Sequence, residues 1–198
     1  MLASIQAFLY QIALSFDLPI LDWIQSSMRS DLLDQVMPVI THFGSAGSLI
    51  ALAIVLLLFP KTRKLGLGMG LAMTFGLLLC NITLKPLIAR IRPYDMQAEL
   101  GIAIQLLVDR MHDFSFPSGH TIAMFEVATV MVKHSKKLGI PALILAAIVA
   151  FSRLYLYVHY PTDVLFSVVA GTLFGLLGYA LAQKTNLGPR KKGKYEKV

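Results

Sequence analysis

The chain of 198 residues has few charged side chains and only one cysteine. Only 15% of its residues are charged and 56% are hydrophobic, whereas about a quarter of the residues of an average soluble domain are charged. An ordinary soluble domain is therefore excluded. The single cysteine, Cys80, excludes an intramolecular disulfide, and its place inside an apolar run predicts a small core side chain.

Other patterns are missing as well. Apolar and polar residues do not alternate over segments of about ten residues, so a transmembrane barrel is not expected. Neither an internal repeat nor a second domain is visible. A mean hydropathy of +0.68 and long apolar runs favour an all-α, polytopic membrane helical bundle: one domain over 1–183 and a basic tail over 184–198. Residues 1–16 carry no basic side chain, so we expect no cleavable signal peptide.

Five apolar runs have about the length that a helix needs to cross a bilayer. We predict spans over residues 35–60, 65–84, 118–132, 138–152 and 164–183. Residues 2–16 lack charge but are short for a span, and Asp17, Pro19 and Asp22 follow them. This N-terminal segment is either an interfacial helix or a sixth span that continues to Ile24.

Positive charge is concentrated between and after the spans. Three Lys or Arg side chains lie in residues 61–64, three in residues 133–137 and six after Gln183. Because each span changes the side, these segments share one face, which the positive-inside rule makes cytoplasmic. These segments also account for the net charge of +7, so the charge does not by itself indicate that the protein binds nucleic acid. The connections 85–117 and 153–163 then face the extracytoplasmic side.

Three polar clusters lie at this outer face, each at the end of an apolar run. In the first, Lys85 and Arg92 are seven residues apart and would share one side of a helix. Arg90 would then point away, so its removal would matter less than that of Arg92, and Pro93 would end the helix. Two cations at a membrane boundary suit an anion with several oxygens; alternatively, they extend to lipid headgroups.

The second cluster, Pro117-Ser118-Gly119-His120, begins the third predicted span. The start of a helix offers free N–H groups to an anion. Ser118 is a suitable N-cap with a hydroxyl to donate, and Gly119 allows a ligand to approach the backbone closely. His120 has a proton to supply. The alternative is a capped helix with an interfacial histidine.

The third cluster runs from Ser152 to Asp163. His159 and Asp163 are four residues apart, and a histidine held by a carboxylate can act as a base or a nucleophile. Arg153 adds a planar donor for phosphate; alternatively, Asp163 only caps the fifth span and Arg153 extends to the interface. The chain has no compact set of metal ligands, and the cations would repel a metal, so we expect metal-independent chemistry.

Two further polar features have a structural interpretation. Glu126 lies well inside the third predicted span, where a carboxyl group is unusual, and we expect it to be protonated or paired within the bundle. The tyrosines at 155, 157 and 160 are typical of an interfacial aromatic belt and are also placed to line the site. Neither feature by itself indicates a reaction.

Taken together, the three clusters resemble the three-part signature of the type-2 phosphatidic acid phosphatase family. The matching segments are Lys85-x6-Arg92-Pro93, Pro117-Ser118-Gly119-His120 and Ser152-Arg153-x5-His159-x3-Asp163. Order and spacing agree at every signature position. The resemblance covers residues 85–163 in motif and about 45–183 in helix layout, so the N-terminal helical segment 1–44 lies outside it.

The resemblance implies a metal-independent phosphatase that works through a phosphohistidine, without a cofactor. It assigns His159 as the nucleophile, Asp163 as its orienting carboxylate and His120 as the acid that protonates the leaving oxygen. The residues that would bind phosphate are Lys85, Arg92, Ser118, Gly119 and Arg153. The implied partner is a phosphorylated lipid of the bilayer.

The implied lipid is phosphatidylglycerophosphate, phosphatidic acid, diacylglycerol pyrophosphate or undecaprenyl diphosphate. Relatives devoted to the undecaprenyl substrate often carry Asp where this chain has Gly119, which favours a phospholipid. An undecaprenyl-diphosphate phosphatase remains an alternative, as does a non-catalytic binder or transporter of lipid phosphates. A vanadate-dependent haloperoxidase fits less well, because those relatives resemble soluble proteins.

Overall fold

In a computed structural model, which describes residues 2–187, the chain is folded into helices and their connections. The α-helices are α1 (Leu2–Ile12), α2 (Leu18–Met28), α3 (Asp31–Thr41), α4 (Ala46–Leu58), α5 (Arg63–Phe75), α6 (Lys85–Ile88), α7 (Pro93–Glu99), α8 (Gly119–His134), α9 (Lys136–Tyr155) and α10 (Pro161–Gln183). Ala13–Asp17 and Gly76–Leu84 are π-helical. The predicted all-α membrane bundle is confirmed. Most of the predicted basic tail, residues 188–198, lies outside the described residues.

The N-terminal segment forms a single long helical rod. α1, the π-helical segment and α2 follow one another without a break, and Ser4–Met28 is long and apolar enough to cross a membrane. Its Asp17 is buried and forms an ion pair with Arg90, which explains how a carboxylate is accommodated in an apolar span. Of the two alternatives for this segment, the structure favours the sixth span.

The predicted span over 35–60 is broken near its middle. α3 and α4 meet at an angle of 47°, with the short 3-10 turn His42–Gly44 between them. Ser45 is extended, and its Oγ accepts a hydrogen bond from the Ser48 N–H, so it caps a new helix instead of continuing the old one. The bend brings Thr41 against the C-terminal end of α9.

α8 is the central helix of the bundle. It packs against α4, α5, α9 and α10, and its 16 residues make it ~24 Å long, less than a full crossing. At Gly171 and Gly175 of α10, an added Cβ atom would lie 2.6 Å from the Ile122 carbonyl oxygen and 2.8 Å from that of Glu126. These glycines therefore allow α10 to touch the backbone of α8.

The predicted helix over residues 85–93 is wrong. α6 ends after Ile88, because Ala89 has a left-handed conformation with φ 49°. Arg92 is extended, as expected before a proline, and Pro93 begins α7 instead of ending a helix. This irregular segment lies at the same end of the bundle as the start of α8 and the turn between α9 and α10.

Candidate active site

A cavity of about 670 Å³ begins at the end of the bundle where the three polar clusters meet. Six of the eight predicted site residues line it: Lys85, Arg92, Gly119, His120, Arg153 and His159. The other two, Ser118 and Asp163, are buried behind the lining. Segments that are far apart in the sequence are thus brought together around one space.

His159 lies in the turn between α9 and α10 and is 2% exposed. Its Nε2 atom is 3.5 Å from the Arg92 Nη1 atom. That contact is at the limit of a hydrogen bond, and Arg92 Nη1 donates instead to the Val158 carbonyl oxygen at 2.7 Å. The Nδ1 atom faces the Asp163 carboxylate, which assigns the ring proton to Nδ1 and leaves the lone pair on Nε2. Burial lowers the pKa of His159 well below its usual value, and the charges of Arg92 and Arg153 lower it further. The imidazole is therefore neutral at neutral pH and offers a nucleophilic nitrogen to the cavity.

Asp163 faces His159 without a hydrogen bond between them. The distance from His159 Nδ1 to Asp163 Oδ2 is 3.7 Å, which is longer than a hydrogen bond. Within residues 2–187, Nδ1 has no other hydrogen-bond partner. Catalytic hydrogen bonds are often long in the absence of substrate and shorten when it binds, so this gap is compatible with the predicted His–Asp pair.

Asp163 is held from its other side by a buried network, which we call the rear cluster: Asp17, Arg90, Ser115 and Asp163. Arg90 Nη1 and Ser115 Oγ donate hydrogen bonds of 2.5 Å to the two Asp163 oxygens. Arg90 Nη2 donates to Asp17 at 2.7 Å, and the guanidinium lies 3.8 Å from the centre of the Tyr160 ring. The N-terminal span is thereby linked to the predicted catalytic carboxylate.

Sequence reasoning missed Arg90 and Asp17 as parts of the site. The helical prediction for 85–93 turned Arg90 away, whereas the left-handed Ala89 directs it to Asp163 and Asp17. One signal was present in the sequence: a lone acid and a lone base in apolar surroundings each require a partner of opposite charge. That signal indicates a pair, although it does not say that the pair touches Asp163.

Lys85 and Arg92 share an acidic partner, Asp113, which sequence reasoning also missed. Lys85 Nζ lies 2.5 Å from one carboxylate oxygen of Asp113, and Arg92 Nη2 lies 2.5 Å from the other. Burial alone would raise the pKa of Asp113, but the hydrogen bond from Lys85 and the charges of Arg92 and Lys85 lower it to about 2. The Asp113 side chain is 53% exposed. It therefore occupies, from the solvent side, the positions that two oxygens of an anion would take.

Arg153 extends from the end of α9 into the wall of the cavity. Its Nη1 donates to Thr41 Oγ1 at 2.6 Å, while its Nε has no partner among residues 2–187 and is available to an anion. His120, in the first turn of α8, is half-buried and lines the same space. We call Lys85, Arg92 and Arg153 the front cations.

The start of α8 differs in detail from the prediction. Ser118 occupies the N-cap position, but its side chain makes no capping hydrogen bond: its Oγ is 3.0 Å from Thr121 Oγ1, and its N–H donates to Ser167. A Cβ atom at Gly119 would lie 3.1 Å from Asn81 Oδ1. Asn81, which sequence reasoning did not select, therefore limits the space beside Gly119 and lines the cavity.

The chemical capacity of the site follows from these groups. A nitrogen lone pair, a second imidazole and three cations surround one space, an arrangement that can bind a tetrahedral oxyanion and attack it. In the described part of the chain, no group of three or more His, Cys, Asp or Glu side chains is arranged to hold a metal ion. The residues present suit nucleophilic attack at phosphorus.

Comparison with known proteins identifies the family of the chain. The sequence profile of the PAP2 superfamily matches residues 63–187. An undecaprenyl-diphosphatase from Sulfolobus acidocaldarius is 30% identical, over 81% of this chain and 74% of its own. The crystal structure of Aquifex aeolicus LpxE gives a TM-score of 0.74 at 27% identity, covering 84% of this chain and 96% of that one. The structure of a transmembrane PAP2-type phosphatidylglycerolphosphate phosphatase from Bacillus subtilis gives 0.68 at 29% identity, covering 93% and 97%. The chain is a multi-pass membrane protein that belongs to the PAP2 superfamily, the family that its three polar clusters predict.

Proposed function

We propose that the protein is a metal-independent lipid phosphatase, in which His159 takes a phosphoryl group from a membrane lipid and passes it to water. One observation carries the proposal. The Nε2 lone pair of His159 and the front cations share a cavity that continues inward between apolar walls. Phosphoryl transfer depends mainly on positioning and on stabilising negative charge, and these groups supply both.

The proposed reaction has two steps. The phosphate oxygens bind the front cations and the Gly119 N–H at the start of α8. The Ser118 hydroxyl, which lies 3.0 Å from Thr121 Oγ1 behind the lining, turns towards the phosphate when it binds. Nε2 of His159 attacks phosphorus in line, the bond from phosphorus to the lipid oxygen breaks, and His120 protonates that oxygen. Asp163 stabilises the positive charge on the phosphorylated ring. Water then gives a proton to His120, attacks phosphorus and displaces Nε2 as inorganic phosphate is released.

The inner part of the cavity supports an amphiphilic substrate. It is lined by apolar side chains of α4, of α5 and of the π-helical segment Gly76–Leu84. These side chains are Ile50, Ala53, Ile54, Leu57, Met73 and Leu77. Leu57 is eleven residues beyond the start of α4 at Ala46, which places it ~16 Å deeper along that helix. A hydrocarbon chain fits such a groove while its phosphate remains beside His159. Phosphatidylglycerophosphate and phosphatidic acid are the proposed substrates.

A second candidate is the hydrolysis of undecaprenyl diphosphate. It is favoured by the 30% identity with a relative that bears that activity in its name. The same cation site suits either headgroup, so the two candidates differ in the lipid chain and in the number of phosphates. Gly119 and the groove therefore matter more for this choice than the histidines do.

The experiment is phosphate release by the purified protein in detergent, with EDTA present. The panel is phosphatidylglycerophosphate, phosphatidic acid, diacylglycerol pyrophosphate and undecaprenyl diphosphate, ranked by kcat/KM. We expect release that falls at least ~1,000-fold in His159→Ala, because the nucleophile is lost, while the variant keeps the elution profile of the wild type. Wild-type binding of these lipids without release would instead favour a binder or transporter, and strict dependence on a metal would contradict the mechanism.

We also propose that the site faces the extracytoplasmic side and that the C-terminal tail is cytoplasmic. The basic residues at 61–64 and 133–137 support this orientation. The native Cys80 is buried, so introduced cysteines are the ones that a membrane-impermeant thiol reagent would label in intact cells. Ile102→Cys should be labelled and His134→Cys should not. The reverse pattern would overturn the orientation.

A further inference from the structure

Glu126 is a buried acid that the proposed reaction does not use. It lies on α8, six residues after His120 and so ~9 Å further from the phosphate region along the helix. It is 1% exposed to solvent and lines the same cavity. In the described part of the chain its Oε1 has no hydrogen-bond partner, and no Lys, Arg or His forms an ion pair with it.

The surroundings of Glu126 are matched to a carboxyl group. Gly76 of the π-helical segment faces it, and a side chain at residue 76 would collide with its Oε1. The cavity lining contributed by α4, α5 and Gly76–Leu77 is apolar or glycine apart from Thr74, whose hydroxyl donates to the Gly70 carbonyl at 2.8 Å. A carboxylate without a cation is costly at this depth, so the group is an uncharged acid with a proton to donate.

We propose that Glu126 donates this proton as a hydrogen bond to an ester carbonyl of the substrate and so selects glycerophospholipids. The inference rests on the proposed lipid phosphatase function. With phosphate beside His159, the short glycerol unit brings the ester groups next along the groove, and the acyl chains continue past them towards Leu57. Glu126 lies in the section of the cavity where a diacyl lipid has its last polar atoms.

A polyprenyl chain and an ether-linked lipid lack a carbonyl at this position. Either would leave the proton of the Glu126 carboxyl group without an acceptor from the lipid, and an unsatisfied polar group in an apolar site is penalised. We expect the penalty to appear as an approximately tenfold lower kcat/KM. All of these lipids carry a phosphate, so the phosphate site does not distinguish them. Glu126 therefore discriminates between lipid classes at a second position, farther along the lipid.

The test compares dioleoyl phosphatidic acid with its dioleyl ether analogue in the same detergent. Wild type should prefer the ester about tenfold in kcat/KM. Glu126→Gln, whose amide still donates, should retain a preference, and Glu126→Leu should act on both lipids equally. Undecaprenyl diphosphate should gain in Glu126→Leu relative to the ester. Thr129→Val is the matched control, because Thr129 is buried on the same helix but faces Gly175 of α10.

One further substrate and one further variant separate the outcomes. Hydrolysis of p-nitrophenyl phosphate, which has no chain to reach Glu126, should be unchanged in both Glu126 variants and absent in His159→Ala. A wild-type ester-to-ether ratio near one, with both lipids turned over through His159, overturns the inference and leaves the proposed function intact. Equal losses on every substrate in Glu126→Leu also overturn it, since they indicate a structural role. No His159-dependent turnover of any lipid would overturn the proposed function itself.

Discussion

The two sides of His159 are built differently. On the cavity side, Nε2 faces Arg92, and the front cations exceed the single acid between them, Asp113. On the other side, the rear cluster places one arginine between two carboxylates, and all of its charges are buried and paired. The cavity side therefore carries an excess of positive charge, which suits an anion, whereas the charges of the rear cluster are paired with one another.

The difference appears most clearly in Arg90 and Arg92, which are two residues apart. Arg92 contacts the nitrogen proposed to attack phosphorus, and Arg90 contacts the carboxylate proposed to steady that ring. A regular helix would not divide the two side chains in this way. The left-handed Ala89 and the extended Arg92 do so, which teaches that the irregular backbone after α6 is part of the site.

Removal of Arg90 should have the largest effect on stability. Arg90→Met leaves Asp17 and Asp163 buried without their cation, a situation that costs about 3–5 kcal/mol. Unfolding in detergent, followed by circular dichroism against temperature and denaturant, measures it. Arg92→Met should cost less, because Asp113 keeps Lys85 as a partner. If Arg92→Met destabilises the protein as much as Arg90→Met, the proposed difference between the cavity side and the rear cluster is contradicted.

Removal of Arg92 should have the larger effect on turnover among variants that remain folded. We expect kcat/KM for phosphatidic acid to fall about 100-fold in Arg92→Met, since a donor aimed at the developing charge is lost. Arg92→Lys should recover little, because an ammonium group does not reproduce the planar fork. Unchanged turnover in Arg92→Met would remove Arg92 from the phosphate site.

Ser115→Ala tests the rear cluster more gently. It deletes one hydrogen bond to a buried carboxylate, worth about 1.5 kcal/mol, and leaves the Arg90 ion pairs in place. The same unfolding assay measures the change, with Ser135→Ala as a control outside the cluster. A stability equal to that of wild type would mean that Asp163 does not depend on this contact.

Asp113→Asn should strengthen anion binding at the cavity side. The substitution removes the carboxylate that competes for Lys85 and Arg92, so we expect inorganic phosphate to inhibit about fivefold more tightly, the effect of one partly exposed ion pair. Because the pKa of Asp113 is lowered to about 2, the carboxylate remains charged at assay pH. The ratio of the inhibition constants should therefore stay constant between about pH 5 and 9. Weaker inhibition in the variant would mean that Asp113 positions the cations instead of competing for them.

Sequence reasoning selected six of the residues that line the cavity but missed Asp113 and Asn81 there, and of the rear cluster it selected only Asp163. Lys85, His120, Arg153 and His159 are polar residues at the ends of apolar runs, where their cost makes them conspicuous. Asp113 lies in the connection before α8, where no periodicity indicates how the chain folds back. The conformation of Ala89 has no local signal, since left-handed backbone is usually supplied by glycine or asparagine.

The bend between α3 and α4 is an intermediate case. Gly44 and Ser45 are visible in the sequence as a weak point of the predicted span, yet the run of apolar residues on both sides favours continuity. Gly44 is buried against α8 and α9, where an added Cβ atom would lie 2.7 Å from a Val149 methyl carbon and 3.2 Å from Met124. The break is therefore imposed by tertiary packing. The distribution of apolar residues along the sequence does not show this packing.

The rear cluster joins residues from almost the entire length of the chain: Asp17 from the first rod, Arg90 from the middle and Asp163 from the last helix. During biosynthesis, Asp163 therefore reaches its cation, Arg90, only after α10 has been made and has packed against the segment that follows α6. The Asp17–Arg90 pair needs only the first half of the chain, whereas the Arg90–Asp163 pair needs α10 as well. The carboxylate that we propose to steady His159 is therefore the last of these charges to be synthesised, and the proposed site is completed only after the rest of the bundle has been made.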